Sequence, residues 1–78
     1  MKVRKTIDKE FEGLGDRIQA ARKESAKPLT ELAYEAGMSV VNWHRIEKEE
    51  PKVLPEETLR AIEYALGINL GVQFDEEE

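Results

Sequence analysis

Seventy-eight residues, 40% of them apolar and 37% charged, give room for one small domain with one modest core. Two-domain enzymes, dinucleotide-binding folds and barrels are excluded by that length, and no apolar run is long enough to span a bilayer. The absence of cysteine removes disulfides, thiolate nucleophiles and zinc–thiolate sites, so packing or self-association must hold the fold together.

The formal net charge of −5 argues, as an average, against a polyanionic partner. The average hides an asymmetry: residues 1–48 carry ten Lys and Arg against eight Asp and Glu, whereas residues 49–78 carry two against nine. Only the first part has the charge to face phosphate. Met1 to Ile7 is basic but no apolar h-region follows it, so the chain reads as cytoplasmic.

In chain order, Lys2 to Ile7 is basic and β-branched, and Leu70 to Phe74 alternates apolar with small or polar residues. Each segment reads either as a short strand, the two pairing with one another, or as an unstructured end. Between them, Leu14, Ile18 and Ala21 recur at spacings of four and three, which predicts a first helix over about Leu14 to Glu24. Pro28 suits the first turn of a second helix running to Ala36. Gly37 then supplies the stop, and Ser39 caps a third helix over about Val40 to Lys48. Pro51 and Pro55 bracket a charged loop, after which Leu59, Ile62, Ala65 and Leu66 mark a fourth helix that Gly67 ends. The domain reading is a basic arm over 1–10, a folded domain over 11–74 and an acidic tail over 75–78.

The second and third helices carry the sharpest local signal. A tight crossing of two short helices needs a small residue such as Ala33, a turn-making Gly37, the cap Ser39, and Leu32 and Ala36 facing Trp43 and Ile46. That pattern fits a DNA-binding helix-turn-helix and also an ordinary helical hairpin. Leu14 to Ile18, Arg22-Lys23, Leu29 to Ser39, Arg45-Ile46-Glu47, Glu57 to Ile62 and Ala65 to Ile68 together resemble the Cro and lambda-repressor type of helix-turn-helix proteins, the Xre-like family. The resemblance runs from about residue 14 to 70. It implies an all-α, compact four-to-five-helix domain, with room for short terminal β segments, that binds duplex DNA as a homodimer and needs no cofactor.

By the same resemblance, the helix at Val40 to Lys48 is the recognition helix, with Ser39, Val40, Val41, His44 and Arg45 at base edges. Arg45 suits guanine O6 and N7, and the valines suit either thymine methyl groups or a protein surface. Candidate phosphate contacts are Arg17, Lys23, Lys27, Asn42, Lys48 and Lys52, together with Lys2, Arg4 and Lys5 in the arm. The resemblance also implies an ion pair between Arg22 and Glu47, and burial of Trp43 where relatives carry an aliphatic residue. The dimer surface is expected at Leu54, Ile68, Leu70, Val72 and Phe74. Three features depart from the family pattern: Val40-Val41, Leu29 where glutamine is common, and the acidic run Glu49-Glu50 where like charge would face phosphate.

Other readings have less behind them. One histidine, no cysteine and no glycine-rich phosphate loop leave no basis for an enzyme or a metal site. The rival is a protein-interaction or antitoxin-like module on the same fold. The acidic tail reads as a solvated segment, with DNA mimicry or self-inhibition as its alternatives.

Overall fold

The computed structural model describes residues 1–5 and 8–73. Its elements are β1 (Lys2–Arg4), β2 (Asp8–Glu10), α1 (Leu14–Glu24), α2 (Leu29–Glu35), α3 (Val40–Glu47), β3 (Val53–Pro55) and α4 (Glu56–Leu66). The expected all-α class is thereby corrected: the helices share the chain with a mixed sheet ordered β2-β1-β3. In it β1 runs antiparallel to β2 and parallel to β3. Among the described residues no helix is long and apolar enough to cross a membrane.

The sheet has physical causes that local sequence signals miss. Val3 and Leu54 are register partners on β1 and β3, and both side chains are buried in the core. Their shared burial pins the parallel register, since a one-residue slip would turn both outward. Pro55 is tolerated because it ends an outer strand, and it also forms the N-cap of α4. β2 is Asp8-Lys9-Glu10, a run of poor strand formers. It is held by its pairing with β1, by the Phe11 N–H donating to the Met1 carbonyl at 2.9 Å, and by the Arg4–Asp8 ion pair at 2.8 Å.

The segment after α4 does not join the sheet. Leu70 and Val72 point inward and are buried, but side chains satisfy their backbone. Arg17 donates to the Leu70 carbonyl at 2.9 Å and Arg60 to the Val72 carbonyl at 3.1 Å, while the Leu70 N–H donates to Glu63 at 2.8 Å. The expected pairing of this segment with the N-terminal strand is therefore replaced by two guanidinium clamps. Thr6, Ile7 and Phe74, also part of the predicted terminal strands, lie outside the described residues.

The end of α3 fixes how that helix sits against α1. Its last turn closes with the Glu49 N–H donating to the Ile46 carbonyl and the Glu50 N–H to the Arg45 carbonyl. This Schellman geometry puts Glu49 in the left-handed region (φ 58°), a place usually given to glycine. Its carboxylate offsets the strain by accepting from the Gly15 N–H at 2.8 Å and meeting the Met1 ammonium at 3.0 Å. Gly13, the N-cap of α1, has no side chain to cap with, so Glu49 serves as the cap across space.

Those contacts make the stability depend on pH. The Gly15 hydrogen bond, helped by the Met1 ammonium and opposed by burial, holds the Glu49 carboxyl below its ordinary value of 4.5. A depressed native pKa means that the unfolded chain binds more protons in the acid range, so this contribution is present at neutral pH and lost as pH falls through the native value. The stability difference between wild type and Glu49→Gln, from urea unfolding, should be largest near pH 7 and shrink towards pH 3. A difference unchanged over that range would show that the charge of Glu49 does not matter.

Candidate nucleic-acid interface

The α2–α3 unit is built by its turn. α2 ends with the Met38 N–H donating to the Ala33 carbonyl at 2.9 Å and the Gly37 N–H to the Tyr34 carbonyl at 3.0 Å, with Gly37 at φ 74°. That left-handed position suits glycine because any Cβ would crowd the following carbonyl. Ser39 then starts α3 by accepting from the Asn42 N–H at 3.1 Å. Leu32, Ala33, Trp43 and Ile46 are buried between the helices.

α3 consequently has two faces. Trp43, Ile46 and Glu47 point inward, while Asn42, His44, Arg45 and Lys48 stand exposed. The two valines separate: Val40 is partly buried against the core, whereas Val41 is 60% exposed. An open groove of about 400 Å³ beside α3 is bordered by Asn42 and Arg45 on one wall and by Pro51 and Val53 on the other. It places the approach to β3 beside Asn42 and Arg45 of α3.

Glu47 orients the helix from below. Its carboxylate accepts from Arg22 Nε at 2.5 Å and Nη2 at 3.0 Å, and from the Trp43 indole N–H at 2.7 Å. The hydrogen bond to Glu47 raises the Arg22 pKa against the effect of burial, so the guanidinium stays charged. The Trp43 partner has no counterpart in the sequence reading, which treats that ring as plain core.

The candidate phosphate contacts divide by what already holds them. Arg17 donates to the Leu70 and Glu12 carbonyls, and Lys27 pairs with Glu35 at 2.8 Å while approaching the Ala65 carbonyl. Both serve the fold. Arg4 is committed to Asp8. Lys23, Lys48 and Lys52 are exposed and form no ion pair among the described residues. The acidic run after α3 also divides: Glu49 turns inward to α1, and Glu50 alone stays outside, 3.9 Å from Arg45.

The expected dimer surface changes as well. Leu54, Leu70 and Val72 are buried within the protomer, so they have no apolar area to offer a second copy. Ile68 remains half-exposed, and Phe74 lies outside the described residues. Exposed aromatic surface is found instead at Tyr34 on α2 and Tyr64 on α4. Structural roles that the sequence reading lacks belong to Gly15, Glu49, Arg60 and Glu63. Of these, Arg60 had a visible signal, with Glu56 four residues before it and Glu63 three after it on one helix face. Among the described residues no three His, Asp or Glu side chains converge as a metal site requires. No protein-family model, curated protein or solved structure matches the chain.

Proposed function

We propose that this protein is a sequence-specific DNA-binding transcriptional regulator, a repressor of Xre-like type that acts as a cytoplasmic homodimer with α3 in the major groove. The observation that carries the reading is the outer face of α3. It presents Val41, Asn42, His44 and Arg45 to solvent on a helix fixed from below by Glu47. Lys23, Lys48 and Lys52, which form no ion pair among the described residues, give the reading its electrostatic support, and the inward turn of Glu49 removes one of two charges opposed to phosphate. In a two-fold dimer the two α3 helices would lie about 34–36 Å apart, one turn of DNA.

The test is fluorescence anisotropy with random duplex and an A·T-rich palindrome pool at low and moderate salt. Three lysines from each of two protomers predict a slope of log K on log salt of about −5. Arg45→Ala should weaken the preferred duplex about tenfold or more. Absence of binding to either duplex at low salt would overturn the proposal.

A second reading has its own observation in the exposed Tyr34 and Tyr64, since aromatic side chains are enriched at protein interfaces. It makes the domain an antitoxin-like adaptor, and capture of a partner that Tyr34→Ala abolishes would favour it. No catalytic role is proposed.

A further inference from the structure

Resting on the DNA-binding reading, we infer that Glu50 is a positioning residue for Arg45, and that Arg45 and Val41 specify a guanine and a thymine about two base pairs apart. Val40 packs against the core, so Val41 alone presents methyl groups at the start of α3. Valine has no hydrogen-bonding group, and the thymine C5-methyl is the apolar feature of the major groove that it matches. Arg45 is four residues on, on the same face and about 6 Å along the helix axis. With bases stacked about 3.4 Å apart, and α3 seated with its axis close to that of the duplex, that is a separation of about two base pairs.

Glu50 enters through its contact geometry. Its carboxylate lies 3.9 Å from Arg45 Nε, and its own N–H is tied to the Arg45 carbonyl at 3.0 Å. At 3.9 Å the acid makes no hydrogen bond, but the guanidinium atom it faces is the inner nitrogen Nε, so both terminal amino groups remain for the O6 and N7 of one guanine. A negative charge on that side biases the fork, by attraction alone, towards the orientation that a bidentate acceptor needs. The same negative charge disfavours contact with phosphate, so Glu50 should weaken non-specific binding while sharpening base readout.

The experiment first selects duplexes from a random pool with the wild-type protein. Thymines of the enriched site are then replaced singly by uracil, and guanines by 7-deazaguanine. One thymine per half-site should lose about fourfold in affinity on loss of its methyl, and Val41→Ala should abolish that penalty. A guanine about two base pairs away should lose about tenfold or more with 7-deazaguanine in wild type, and little in Arg45→Ala. Glu50→Ala should raise affinity for random duplex while lowering the ratio of specific to random binding, and Glu50→Asp should restore part of that ratio.

A uracil penalty unchanged by Val41→Ala, or a Glu50→Ala variant that raises specific and random binding equally, would overturn this inference and leave the DNA-binding proposal standing. Failure of every duplex to bind at low salt would overturn both.

Discussion

Glu47→Ala is expected to cost about 3–5 kcal/mol, because it strands a part-buried guanidinium and a buried indole N–H at once. The Glu47 side chain is 2% exposed and that of Arg22 18%, so water cannot readily replace the lost partner. For a domain of this size, total stability is about 5–15 kcal/mol, and each kcal/mol shifts the melting temperature by about 4–8 °C. A fall of at least about 12 °C is therefore expected in a thermal melt followed by Trp43 fluorescence. A fall below about 4 °C would mean that the three side chains do not act as a unit.

Replacing the whole set should do less harm than breaking it. Buried ion pairs lose in desolvation much of what they gain in attraction, so apolar residues of similar volume are often neutral or stabilising. The triple variant Arg22→Met, Trp43→Phe and Glu47→Leu should therefore be more stable than Glu47→Ala alone. What it should lose is the fixed angle of α3, because directional bonds to Glu47 are exchanged for non-directional packing. On the DNA-binding proposal, that loss would appear as weaker discrimination between duplexes with the fold intact.

The helices were legible in the sequence because each carries its own punctuation. Leu14 and Ile18 mark the inner stripe of α1, Gly37 and Ser39 bound the turn, and Gly67 takes the left-handed end of α4 (φ 71°). The strand alternative for Lys2 to Ile7 holds at β1, but the sheet's pairing was not legible, because it runs across fifty residues of chain, between Val3 and Leu54. Local signals pointed the wrong way: Asp8-Lys9-Glu10 looks unlike a strand, and the prolines around Val53 and Leu54 look like a loop. The alternation at Leu70 and Val72 correctly marked inward side chains but could not reveal that Arg17 and Arg60 bind the backbone there.

At the candidate interface the split has the same origin. Which residues of α3 face outward follows from helical spacing, and so was readable. Which cations remain uncommitted depends on where distant carbonyls and carboxylates arrive in space. Arg17 and Lys23 look alike in sequence; one is tied to Leu70 and Glu12, and the other forms no ion pair among the described residues. Glu49 and Glu50 look alike too, yet the left-handed backbone at Glu49 turns its carboxylate to α1, away from its neighbour.

Gly15→Ala should destabilise the protein by about 3 kcal/mol or more, even though alanine is the better helix former by about 1 kcal/mol at an ordinary site. Gly15 lies in the first turn of α1 under the end of α3, where a Cβ would collide with the Glu47 carbonyl oxygen and lie 2.7 Å from Glu49 Cγ. The obstacle is backbone, so relief requires α3 to move away from α1. That movement would lengthen the Gly15 to Glu49 hydrogen bond and pull on the Arg22–Glu47 pair, the two ties that set the angle of α3. Gly13→Ala is the control: Gly13, unlike the helical Gly15, is left-handed (φ 72°) but has no atom within 4 Å of the added Cβ, so only the backbone cost of about 1–2 kcal/mol applies. Urea unfolding should rank Gly15→Ala below Gly13→Ala in stability, and a Gly15→Ala protein as stable as wild type would show that α1 and α3 are free to separate. If they are held as closely as the glycine implies, the outer face of α3 is carried by α1 as much as by its own turn.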